Sequence, residues 1–85
     1  MLKVSIRQVK AARALLAWSQ EDLAAAADLS IPTIKRLEAR DGPLGGRSTT
    51  SNKIQKALQN AGVEFINENG GGGPGVRLRA RVQRK

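Results

Sequence analysis

Residues 20–40 read QEDLAAAADLSIPTIKRLEAR, and the order of small, apolar and breaking residues in that run decides the fold. Leu23, Ala24 and Ala27 recur at helical spacing, the pattern breaks over Asp28-Leu29-Ser30, and Ile34 and Leu37 take it up again. Ser19 stands ahead of the run as an N-cap with Asp22 three residues on, and Glu21 and Asp22 sit near the positive end of that helix dipole. Ser30 caps the second helix. Its early Pro32 is tolerable because amide groups in a first turn have no intrahelical partner. Two short helices joined by a tight turn follow. Ala24 is small where they cross, Leu29 plugs the turn, and Ile34 and Leu37 seat the second helix on the first.

Working outward, Ser5 with Gln8 three residues on has capping-box spacing and opens a helix that runs to about Ala17. Its apolar stripe is Ile6, Val9, Ala12 and Leu16. After the motif, helix three should stop near Arg40, because Asp41-Gly42-Pro43 and then Gly45-Gly46 are strong breakers. A fourth helix resumes inside the Ser/Thr run at 48–51 with Ile54, Ala57, Leu58 and Ala61 on its apolar face, and Gly62 suits the left-handed residue that ends it. Beyond Gly62 the period becomes alternating: Val63 and Phe65 on one side, later Val76, Leu78, Ala80 and Val82 against Arg77, Arg79 and Arg81. These read as two strands joined by the glycine-rich loop at 67–75. A disordered basic tail is the alternative, which seven strictly alternating residues disfavour. The expected fold is mainly α, four helices (residues 1–62) followed by a C-terminal two-stranded β-hairpin and basic tail (63–85).

Composition narrows the function. The 85 residues carry 15 Lys and Arg against 7 Asp and Glu, net +8, so favourable partners are polyanions: nucleic acid or an anionic membrane surface. With no Cys and no His, the chain lacks disulfides, thiolate chemistry, the usual zinc ligands and the commonest general base. No catalytic residue, metal site or cofactor is expected, and an enzyme is the weakest candidate. The longest apolar runs, Ala14 to Trp18 and Leu23 to Ala27, are far below a membrane span, and no signal-peptide pattern is present, so the expected compartment is the cytoplasm.

The 20–40 window has the pattern of a helix-turn-helix. Through Trp18-Ser19-Gln20-Glu21-Asp22-Leu23-Ala24 and Ser30-Ile31-Pro32-Thr33-Ile34-Lys35-Arg36-Leu37-Glu38 it resembles the Xre/Cro, lambda-repressor-like family of DNA-binding domains, over roughly residues 5–61. The departure is at the turn, where the family places Gly and this chain has Asp28, a residue that tolerates the left-handed conformation. The resemblance implies double-stranded DNA as partner, with the second helix of the motif in the major groove. On a helical wheel Pro32, Lys35, Arg36 and Ala39 lie opposite Ile34 and Leu37, so the outward face is basic with a small-residue centre, which suits guanine acceptors. Arg36 is the first choice for base reading, then Lys35, with Thr33 and Ser30 beside them. Ile31 could contact a thymine methyl group, although the wheel puts it at the border of the core face. Gln20 matches a family position that bonds phosphate. Arg40 and Arg47, in and after the breaker loop, and Lys53 near the start of helix four suit phosphates.

Arg13 interrupts the stripe of helix one and Glu38 sits at the core edge of helix three. Partly buried charges require partners, and matching positions in phage repressors of the family form a salt bridge, so these two are expected to pair. Trp18 is read as packing at the junction of helices one and two rather than as a base-stacking platform. The glycines at 70–73 lack a Lys-Ser/Thr sequel and are turn residues, not a phosphate loop. An isolated ribbon is marginal in water. The hairpin residues Val63, Phe65, Val76, Leu78 and Ala80 are therefore expected to serve dimerisation, which would set two recognition helices about one DNA turn apart on a palindromic operator. The favoured function is a transcriptional regulator, in the simplest case a repressor. The alternative is an antitoxin that binds its own promoter and a toxin protein; an RNA binder is disfavoured by the missing aromatic platform. Residues 1–69 hold 10 basic and 7 acidic side chains, and residues 70–85 hold 5 basic and none acidic, so most of the excess charge lies outside the motif.

Overall fold

The computed structural model describes residues 4–45 and 48–79. Four helices, α1 (Ile6–Leu16), α2 (Gln20–Ala27), α3 (Ile31–Glu38) and α4 (Thr49–Asn60), precede two strands, β1 (Val63–Ile66) and β2 (Gly75–Leu78). Each helix starts on a serine. The hydroxyls of Ser5, Ser19, Ser30 and Ser48 accept from the backbone N–H three residues on, and Gln8 and Asp22 complete reciprocal capping boxes at α1 and α2. The ends are equally local in origin. Asp28 closes α2 in the left-handed conformation (φ 59°), so the turn survives without glycine, and Gly62 (φ 110°) follows α4. Ala17 at the end of α1 also takes φ 57°, which sequence reading did not anticipate.

The core is formed by Val4, Ile6, Val9, Ala12, Leu23, Ala24, Ala27, Ile34, Leu44, Ile54, Ala57, Leu58 and Val63, with Leu16, Trp18, Leu29, Leu37, Phe65 and Val76 packed around it. α2 packs against α3 and α4, and α1 against α3, α4 and β2. Trp18 is thus a junction residue. Ala61, placed by periodicity on the apolar face of α4, is exposed instead, because it lies past the last turn as the C-cap. α3 ends at Glu38, two residues before Arg40.

One element was not legible as structure. Residues 4–6 and 42–44 run antiparallel, with the Ile6 N–H donating to the Gly42 carbonyl and the Leu44 N–H to that of Val4, both at 2.9 Å. The breaker stretch therefore returns to the start of the chain and buries Val4 and Leu44. Ser51, buried in α4, donates its hydroxyl to the Leu44 carbonyl (3.0 Å) and fixes the loop from the other side.

β1 and β2 form an antiparallel pair with Val63 opposite Leu78 and Phe65 opposite Val76. Val63 and Phe65 face the core, and the hairpin is docked on α1 and α4. Gln8 holds it there. Its side-chain amide donates to the carbonyls of Ile66 (3.2 Å) and Gly75 (2.8 Å) while its oxygen accepts from Ser5.

Candidate nucleic-acid interface

α3 presents its polar side to solvent because Ile34 is fully buried and Leu37 half-buried on the opposite side. Pro32, Lys35, Arg36 and Ala39 are exposed, and Ile31, at 36% exposure, lies outside the core rather than in it. No acidic residue occupies the first turn of α3. The two hydroxyls at its start are already engaged. Ser30 Oγ accepts from the Thr33 N–H at 3.2 Å and lies 2.8 Å from Thr33 Oγ1. Both would meet a base only by sharing or exchanging these bonds. Lys35 and Arg36 carry no such commitment, so the free donors on this face are cationic and long. Arg40, just beyond α3, is exposed.

Behind this surface, Arg13 and Glu38 make a two-point contact, Nε to Oε2 at 2.8 Å and Nη2 to Oε1 at 2.7 Å. Arg13 Nη1 also donates to the Trp18 carbonyl at 2.9 Å, tying α1, the α1–α2 junction and α3 together. Burial pushes the Glu38 carboxyl up, but the hydrogen bonds from Arg13 and Gln20 with the Arg13 charge outweigh it and hold the group below the usual glutamate value. Arg13 is raised by the bond to Glu38.

Gln20 belongs to the same network. Its amide Nε2 donates to Glu38 Oε1 at 3.0 Å, which fixes the side chain at the start of α2. The partnership was not foreseen; the signal available was only that Gln20 and Glu38 both border the crossing of α2 and α3.

The remaining basic side chains divide by partner. Arg7 grips Asp41 through two contacts of 3.2 and 3.1 Å, and with the adjacent Gly42 N–H this lowers the Asp41 carboxyl, the backbone bond contributing most. Lys53 lies 3.9 Å from Asp28, at the turn between α2 and α3. Arg77 bonds Glu64 across the hairpin at 2.7 Å, and Arg79 donates to the Gln59 carbonyl at 2.8 Å, on the negative end of α4. Arg47 lies outside the described residues, as does Ala80. Among the other expected dimerisation residues, Val63 is wholly buried in its own chain and offers nothing to a second one, Phe65 and Val76 are half-buried, and Leu78 is exposed. Val63 is thereby corrected to a core residue.

No helix among the described residues is long and apolar enough to cross a membrane. A search of curated proteins returns no match. The helix-turn-helix family HTH_3 matches residues 9–59, from α1 to the last turn of α4, and the hairpin lies beyond the matched span. Most of α1 and α4, all of α2 and α3, the left-handed turn between them and the exposed basic side of α3 fall inside it, and the chain belongs to this Xre/lambda-repressor-like helix-turn-helix family of DNA-binding transcriptional regulators.

Proposed function

We propose that the chain is a sequence-specific regulator that binds double-stranded DNA as a homodimer, with α3 in the major groove, and represses by occupying a palindromic operator. The observation that supports this best is the exposed pair Lys35 and Arg36 on a helix whose opposite side is locked into the core. Arg36 reads a guanine by its two-point donor geometry, Lys35 a neighbouring acceptor, and Ile31 a thymine methyl group. Ser30 and Thr33 contact bases through the hydroxyl pair they share. Gln20, pinned by Glu38, has a second amide N–H for a phosphate at the start of α2, while Arg40, Arg47 and Lys53 supply charge to the backbone. Binding takes place in the cytoplasm, on the nucleoid. An antitoxin would need a toxin-neutralising segment, and the part of 63–79 available to provide one is a hairpin docked on α1 and α4.

Selection from random duplex DNA tests the reading, with the winning sequence and a scrambled duplex then titrated at several salt concentrations. A palindromic winner bound at least on the order of a thousandfold more tightly than the scramble supports it. Equal affinity for both, falling together with salt, would leave only nonspecific phosphate binding.

A further inference from the structure

The outer edge of β2 and the neighbouring flank of α1 form one surface, and we propose that it pairs with the same surface of a second copy of this chain, joining two hairpins into a four-stranded sheet. This deepens the homodimer reading by naming its interface. The register fixes which backbone groups are free. The Arg79 N–H donates to the Gly62 carbonyl at 2.8 Å, and the pairs step inward as Val63 with Leu78, Glu64 with Arg77 and Phe65 with Val76. Bonded and non-bonded pairs alternate in an antiparallel ladder, so Glu64 and Arg77 bond each other while Val76 and Leu78 turn their N–H and C=O groups away from β1. No described residue meets those groups.

Side chains beside this edge are apolar. Leu78 is 45% exposed and Leu15 44%, two of only three large hydrophobic residues so exposed among those described. They belong to the same surface. Gln8 bonds the carbonyl of Gly75, and Gln8 and Ala11 line a groove with Gly75 and Val76, so α1 and β2 run side by side in the same direction. Leu15 lies about 10 Å along α1 from Gln8 and Leu78 about 10 Å along β2 from Gly75, which brings both leucines to the same end. On the wheel Gln8, Ala11 and Leu15 share the flank towards β2, and Lys10 and Arg13 occupy the other.

A second copy fits because an antiparallel edge is complementary to itself. A two-fold axis just outside the free edge of β2, perpendicular to the sheet and level with Arg77, sets each free N–H opposite a free C=O of the partner and places Leu78 opposite the partner's Val76. Edge strands normally block such pairing with charged side chains. Here Arg77 is drawn onto Glu64 and Arg79 onto the end of α4, so what meets across the axis on the far face is two ion pairs rather than two bare cations. The pairing also gives a two-stranded ribbon the further strands that such ribbons need.

Sedimentation equilibrium of the full chain without DNA tests the proposal, beside Leu78→Pro. Proline removes an outward-facing N–H and no bond of the β1–β2 ladder, so the ladder and the helices are retained, as circular dichroism would show. Leu15→Lys is a second variant that leaves the backbone edge intact. The expected result is a wild-type mass of twice 9.1 kDa, with both variants shifted to 9.1 kDa. A wild-type chain that stays monomeric, or a folded Leu78→Pro that stays dimeric, overturns it. DNA recognition is read separately. A monomeric variant that still prefers the selected half-site over a scramble keeps the regulator reading, whereas a dimer without that preference would defeat the regulator and leave the interface standing.

Discussion

Removing the arginine of the Arg13–Glu38 pair isolates the contact that fixes α3 relative to α1. Glu38 is 5% exposed, so Arg13→Ala leaves a buried carboxylate with Gln20 as its remaining side-chain donor. Breaking such a pair costs about 3–5 kcal/mol. The cost has a ceiling. Glu38 can take up a proton, and moving from pH 7 to an ordinary glutamate pKa of about 4.3 costs about 3.7 kcal/mol at 1.36 per unit. About 3 kcal/mol is therefore expected, against a total of about 4–13 kcal/mol for a domain of this length. Melting should fall by on the order of 12–24 °C. Lys10→Ala, an exposed change on the same helix, should stay within about 0.5 kcal/mol of wild type. Urea denaturation followed by fluorescence of Trp18, the chain's one tryptophan, measures both.

The pH dependence separates this account from simple loss of packing. In the wild type the Glu38 pKa is lowered on folding, so its contribution is present above the unfolded value and is lost as pH falls through the folded one. In Arg13→Ala burial acts with less opposition and raises the folded pKa, so that chain gains stability relative to its unfolded state on acidification. The variant's gain narrows the gap between about pH 7 and pH 4.5, and the wild type's loss narrows it further below about pH 4.5. Arg13→Met combined with Glu38→Met should recover most of the loss, because no buried charge remains. A gap independent of pH, or equal stabilities for Arg13→Ala and Lys10→Ala, would refute the reasoning.

Gln8→Ala removes a capping partner and both amide bonds to the hairpin. It should cost about 2 kcal/mol and accelerate amide exchange in β1 and β2 ahead of α2 and α3; uniform exchange across the chain would argue against the clamp. Ala17→Gly relieves a left-handed alanine and should raise stability by about 0.5–1 kcal/mol, the sign being the test in thermal melts. Arg36→Ala should lose about 1–3 kcal/mol on the selected duplex with relaxed preference at one base pair, whereas Arg40→Ala weakens all duplexes alike and lowers the salt slope by about 1. Reversed behaviour in the same titrations would exchange their roles.

The helices were legible because their signals are local. Each starts at a serine whose hydroxyl acts within three residues, and the turn at Asp28 needs only a residue that tolerates positive φ. What escaped depends on distant pairing. Gln8 shows in sequence as a cap but not as the donor to Ile66 and Gly75, since those carbonyls arrive only after α4 has turned the chain back. Gly42-Pro43-Leu44 reads as a break, and only the packed fold shows it pairing with residues 4–6. Ala61 failed for the opposite reason: periodicity continued one step past a helix that Gly62 had already stopped. At the interface, Lys35 and Arg36 could be placed outward from Ile34 and Leu37 alone, but the engagement of Gln20 by Glu38 could not, since it requires the crossing of α2 and α3.

Counting charge and locating available charge give different answers for this chain. By count, the basic excess lies in residues 70–85. By geometry, Arg77 and Arg79 of that segment are turned onto Glu64 and the Gln59 carbonyl, Arg7 onto Asp41, Arg13 onto Glu38 and Lys53 towards Asp28. Exposed pairs of this kind contribute little stability, yet they direct where a side chain points. Among the described residues, the cations left without an acidic or carbonyl partner are Lys10, Lys35, Arg36, Arg40 and Lys56, and three of these lie on or just after α3. The acidic residues do not lower the basic character of the chain evenly. They occupy the arginines of the scaffold and the hairpin, and so leave the uncommitted charge on the helix that faces outward.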